Sequence, residues 1–170
     1  MSATTPSPRT PKDEDAVWPL PPIGGVLGPA CAWSVQPGPL SAPAAGRLVH
    51  RTLALWNVDD TTCALTVLAV EELVAGAVRH GAPPLMLELA RRQGHIAVAV
   101  SDASRPPTSP EPAAYIDGHD LTLADAITDT LVVTAAPAHT GTAVVVHIAD
   151  TTADEPAAPA PAGRRATAPS

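Results

Sequence analysis

The stretch "DDTTCALTVLAVEELVAGAVRHG", residues 59–81, decides how this chain is built. Its apolar residues recur at helical spacing, Asp59 or Asp60 stands where an N-cap belongs, and Gly81 with Pro83-Pro84 beyond it stops the helix. On a 3.6-residue wheel Val67, Val70, Leu73, Val74, Ala77 and Val78 fall on one broad side, the side expected to pack on a sheet. Glu72, Gly76 and Arg79 fall together on the opposite side, with Leu65 and Leu68 in the turns before them, so an acid sits on a partly apolar stripe. Such a stripe suits one wall of a cleft, with Gly76 admitting a close approach to the backbone. It equally suits a solvated Glu72 paired with Arg79 or Arg47, and a Gly76 that permits tight helix packing. Glycine costs a helix interior about 1 kcal/mol against alanine, so its presence asks for a reason.

Outward from this helix the pattern changes period. Upstream, "SAPAAGRLVHRTLALWNV" (41–58) reads as a helix with Ser41 as N-cap, Pro43 in its first turn, and Leu48, Leu55 and Trp56 among its apolar positions. Before it, "CAWSVQ" (31–36) reads as a strand. Downstream, "PLMLELARR" (84–92) and "HIAVAVSDA" (95–103) alternate around Gln93-Gly94, a hairpin signal. A Pro-rich loop covers about 104–117, "GHDLTLADAITD" (118–129) reads as a short helix, and "LVVTAA" (131–136) with "GTAVVVHIA" (141–149) forms a second hairpin around "PAHT". Strand, helix, helix, hairpin, loop, helix, hairpin does not alternate β with α. The fold class expected is therefore α+β: a two-layer sandwich with a mixed, mostly antiparallel sheet and helices on one face. Residues 29–150 form the expected domain, and 1–28 and 151–170, rich in Pro, Ala, Ser, Thr and charge, are expected to be disordered.

Composition excludes several functions. A formal charge of −7 with ten Lys plus Arg leaves no basic stripe for phosphates, so nucleic acid is not an expected partner. Arg91-Arg92 and Arg164-Arg165 read as a solvated hairpin end and as tail charges. No apolar run is read as a membrane span, and "MSATTPSPRTPKDEDAV" (1–17) lacks the apolar middle of a signal peptide, which together give the expectation of a cytoplasmic protein off the membrane. Cys31 and Cys63 lie outside any C-x-x-C spacing and are expected as buried free thiols, and the six histidines show no metal-binding motif, so no metal ligands are assigned. With Phe absent and three Trp, the core must be Leu, Val, Ile and Ala.

The run "EELVAGAVRHG" (71–81), a hairpin ending in "VAVSDASRPP" (98–107), a loop, "GHDLTLADAI" (118–127) and a closing hairpin resemble the histidine-kinase-like ATPases in their actinobacterial branch, the anti-sigma regulatory factors related to serine-protein kinases. The resemblance covers about residues 30–149 and rests on element order as well as short motifs. In that family the second helix reads approximately E-L-V-x-N-A-x-R-H, the strand end D-x-S or D-x-G, and the lid ends in G-x-G-L before a helix. Glu72, Leu73, Val74, Ala77, Arg79 and His80 match the first motif, Asp102 and Ser104 the second, and Gly118 and Leu121 part of the third.

The resemblance implies a Bergerat-type ATP-binding fold. It implies Glu72 as general base toward a serine hydroxyl, Asp102 as acceptor for the adenine amino group with Ser104 beside it, Gly118 at the phosphate end of the lid, and Thr142 next to Asp102 under the purine. The departures weigh against Mg-ATP. Gly76 stands where the family has the asparagine that ligates Mg²⁺. "GHD" replaces the second lid glycine, and a carboxylate such as Asp120 at 4 Å from a phosphate charge is repelled by about 4 kcal/mol at an effective dielectric near 20. The lid "SRPPTSPEPAAYID" (104–117) has no glycine hinge. The expectation is weak or absent ATP and Mg²⁺ binding and a role carried by contacts with a sigma factor or an anti-anti-sigma partner of the STAS type. Two alternatives stand beside it: an active serine-protein kinase using Glu72, and a scaffold without nucleotide function, as a homodimer or part of a larger regulatory complex.

Overall fold

The computed structural model describes residues 29–92, 94–105, 121–136 and 141–154, together with the backbone of 17–20. Along the chain run β1 (Val17–Leu20), β2 (Ala30–Val35), α1 (Ser41–Leu55), α2 (Asp60–His80), β3 (Leu85–Arg92), β4 (His95–Asp102), α3 (Thr122–Ile127), β5 (Thr130–Ala135), β6 (Thr142–Ala149) and a final 3-10 turn, Thr151–Asp154. The six strands form one sheet in the order β1-β2-β3-β4-β6-β5. The architecture is α+β, an open sheet with its helices packed as a second layer. Every described pairing is antiparallel, so the mixed sheet expected from the sequence is not found.

Strand alternation decides which face is covered. Leu85, Leu87 and Leu89 of β3, Ile96, Val98 and Val100 of β4, and Val144, Val146 and Ile148 of β6 are buried, while Met86, Glu88, Ala97, Ala99, Val145 and His147 between them are half-exposed. The register puts like with like across the sheet: Leu87 opposite Val100, Leu89 opposite Val98, Val98 opposite Val146. Against this face α1 buries Ala44, Ala45, Val49 and Leu53, and α2 buries Cys63, Thr66, Ala69, Val70, Leu73 and Val74. Each fully buried Leu, Ile or Val contributes roughly 1.5–3 kcal/mol relative to exposure.

Local chemistry sets the helix ends. Of the two candidates Asp59 and Asp60, Asp59 caps α2, its carboxylate accepting from the N–H groups of Thr61 and Thr62 at 3.0 Å each. The same carboxylate accepts the hydroxyls of Thr151 at 2.8 Å and Thr152 at 3.1 Å, which anchors the chain after β6 to the start of α2. The helix 41–58 stops earlier than expected. Asn57 takes a left-handed φ of 53°, its N–H donates to Ala54 and that of Val58 to Leu53, so the last carbonyls are closed off in a Schellman motif. Leu55 is consequently 81% exposed and contributes no core surface. Ser41 is not the N-cap: Leu40 holds that position without a side-chain bond, and the Ser41 hydroxyl donates instead to the Gln36 carbonyl.

Other expectations also change. The segments expected to be disordered contain a strand at Val17–Leu20 and a structured turn from Thr151. The Pro-rich loop from 106 onward and the first residues of the 118–129 helix lie outside the described residues, and the described helix there is Thr122–Ile127. Arg91 is not a solvated charge: its Nε donates to the buried Asp150 carboxylate at 2.7 Å and its guanidinium to the Trp56 carbonyl at 2.5 Å. One described helix, α2, is long and apolar enough to cross a bilayer by length and composition alone, a test that the core helix of a globular domain also passes. Its apolar face is the one packed on the sheet.

Candidate functional site

Asp102 is where three elements meet: the end of β4, the start of β6 and the segment leaving α2. It is 5% exposed, and both ends of its surroundings are tied by backbone groups. Its Oδ1 accepts from the Ser104 N–H at 2.5 Å, a turn closed by the aspartate's own side chain, and from the Ala82 N–H at 3.4 Å. The Ala103 N–H donates to the Ala82 carbonyl at 2.7 Å, lashing the strand end to the helix exit. Thr142 pairs with Asp102 in the β4–β6 register and is 1% exposed, and its hydroxyl donates to the Ser104 carbonyl at 3.2 Å.

Two glycines make this approach possible. A Cβ on Gly81 would stand 2.6 Å from the Ala77 carbonyl oxygen and 3.0 Å from the Asp102 carboxyl. A Cβ on Gly141 would overlap the Asp102 carbonyl oxygen. Both positions are glycine because backbone and carboxylate pack where a side chain would go. Neither was singled out from the sequence as part of a site. Their only sequence signal is placement, one directly after a long helix and one directly before a buried strand.

Behind Asp102 lies a small cavity lined by Leu73, Gly76, Ala77, Val100, Asp102, Leu121 and Val144. Its volume is about 10 Å³, at the threshold for a single water, which needs roughly 10–15 Å³. The structure thus brings Gly76, Asp102, Ser104 and Thr142 together. Gly76 is buried on the flank of α2 that faces the sheet and Leu121, not on the side opposite the sheet where the wheel placed it with Glu72 and Arg79. Glu72 is half-buried and does not line the cavity, and Arg79 and His80 are exposed. Gly118 and Asp120 lie outside the described residues. The tight packing that Gly76 was read as permitting between helices occurs elsewhere: at Gly46 of α1 any Cβ would overlap the Glu71 carboxylate of α2.

Neither cysteine joins the site. Both are free; Cys63 is buried and Cys31 half-buried. Burial pushes both thiols up, and at Cys63 the charges of Asp60 and Asp59 push further, so the protonated form is held at neutral pH. A second, more open hollow of about 260 Å³ lies on the helix layer, lined by Gly46, Arg47, His50 and Arg51 of α1 and Val67 and Glu71 of α2. It gathers two guanidinium groups on a chain whose overall charge is −7.

No protein-family model matches this sequence, and no curated protein matches it.

Proposed function

We propose that the chain is a regulatory protein-binding module of the anti-sigma type, acting on a sigma factor or on a STAS-type anti-anti-sigma partner, with Mg-ATP binding weak or lost. The observation that carries this reading is the cavity beside Asp102. Gly76 lines it without offering an oxygen to a metal, and its volume of about 10 Å³ admits a water rather than a purine. The Asp102 carboxylate, the group that would receive an adenine amino group, already accepts from two backbone N–H groups. Glu72 stands off the cavity, which weighs against the alternative of phosphoryl transfer to a serine. Further support is the hollow between α1 and α2, whose Arg47, Arg51 and Glu71 offer charged contacts to a protein surface.

The test is binding of a purified sigma factor or STAS-type protein, measured by interferometry with and without Mg-ATP. Affinity that is the same in both conditions, with no label passing from γ-labelled ATP to the partner, is the expected result. Binding that needs Mg-ATP, or a phosphorylated partner serine, would instead support the kinase.

A further inference from the structure

On the sheet face turned away from the helices, His95 of β4 and His147 of β6 stand on neighbouring strands with ring centroids 4.8 Å apart and planes tilted by 44°. Between β4 and β6 the register sets His95 opposite Ala149 and His147 opposite Ala97, so the rings are diagonal neighbours on one face, flanked by Arg92 of β3 beside His95 and Thr130 of β5 beside His147. Both residues are half-exposed, within reach of solvent and of ions in it. These two rings lie far from the cavity chemistry: Asp102 and Thr142 close the opposite end of the same strand pair.

The spacing has a chemical meaning. With a ring nitrogen ~1.1 Å from the imidazole centroid and a metal ~2.0–2.1 Å from that nitrogen, two imidazoles on one ion have centroids about 4.5 Å apart at a right angle and about 5.2 Å apart at the tetrahedral angle. The observed 4.8 Å falls between the two. We propose that His95 and His147 form a two-imidazole site for a first-row divalent ion of borderline softness, Zn²⁺, Ni²⁺ or Cu²⁺, with water completing the coordination. Among the described residues no cluster of three or more His, Cys, Asp and Glu side chains is placed to hold a metal, so the proposed site is a two-imidazole pair.

The surroundings act in both directions. Asp129 is tied to this spot by its N–H, which donates to the His147 carbonyl at 2.8 Å, and its carboxylate adds negative charge beside the site. Arg92 pairs with His95 across the β3–β4 hairpin and places a cation on the other side, so the affinity is that of a chelating pair rather than a closed structural cage.

The experiment uses the full chain without any purification tag and Ni²⁺ as the probe. Long-range ¹H–¹⁵N spectra during titration are expected to show the ring signals of His95 and His147 perturbed together, saturating near one equivalent, before those of His50 and His80. His95→Ala and His147→Ala should each weaken Ni²⁺ binding by about 100-fold, because the second arm of a chelate acts at high effective concentration, and His50→Ala should not. The ring signals of the unmutated protein give the answer even where a variant folds poorly. Perturbation starting at other histidines, or a His95→Ala/His147→Ala double variant that binds Ni²⁺ as well as the parent, would overturn the assignment.

Discussion

Replacing Asp102 tests whether its carboxylate is already engaged by its own chain. In Asp102→Ala the Ser104 and Ala82 N–H groups lose their acceptor at 2.5 and 3.4 Å. A hydrogen bond to a charged acceptor contributes about 1.5–3 kcal/mol, and the longer contact contributes at the bottom of that range or below it, so the expected loss is about 2–3 kcal/mol. Asp102→Asn keeps an acceptor oxygen without the charge and should lose about half as much. With a urea m-value of about 1.5 kcal/mol/M, the alanine variant should unfold about 1.3–2 M earlier than the parent. Equilibrium urea unfolding followed by tryptophan fluorescence reads this directly, since Trp33 sits in the core at 5% exposure. A change within about 0.5 kcal/mol, the range of an ordinary surface substitution, would refute the reasoning and leave the carboxylate open for a ligand.

Asp59→Ala should cost about 1–2 kcal/mol at pH 7, the N-cap together with the link to Thr151 and Thr152. Hydrogen bonds from the Thr62 hydroxyl and N–H, with those of Thr151 and Thr152 adding, hold the Asp59 carboxyl well below the usual carboxylate range. A depressed folded pKa gives stability that is complete above the unfolded value of about 3.9 and lost as pH falls below it. Thermal melts at pH 7, 5 and 3 should therefore show parent and variant converging at the acid end; a gap that holds or widens at pH 3 would contradict this. Arg91→Ala leaves Asp150, whose side chain is 1% exposed, without its cation and should cost about 2–3 kcal/mol, because the arginine is itself 23% exposed and its pairing is partly screened. Denaturation that leaves Arg91→Ala as stable as the parent would show the pair to be energetically idle.

The parts of the fold that depend on near neighbours were legible. The alternation in 85–102 declared two half-buried strands, and Gly94, with φ of 77°, sits in their turn as the hairpin signal required. Asp59-Asp60 before the apolar run announced a cap, and the structure picks Asp59. What depended on distant partners was not legible. A charged residue at a strand end gives no sign that its carboxylate lies 59 residues further on, as Arg91 and Asp150 do. β1 is four residues long and interrupted by Pro19, so only its pairing with β2 defines it. The position of Gly76 was misread for a related reason. A wheel with one buried arc assumes one packing partner, whereas α2 is packed by the sheet and, along its flank, by Leu121 and Ala124 around α3, which widens the buried arc until it includes Gly76. Within the candidate site, Asp102 and Thr142 were legible as neighbours through the resemblance, but the glycines that let them close on the helix exit were visible only in three dimensions.

Calorimetric titration of the purified chain with ATP, in the presence and absence of Mg²⁺, bears most directly on the site beside Asp102. A water-sized cavity that Gly76 lines without a side-chain oxygen leads us to expect no saturable binding below a Kd of about 1 mM, and no difference between the two titrations. Micromolar binding that appears only with Mg²⁺ would mean that the cleft opens for nucleotide and that Gly76 is no obstacle to holding the cation.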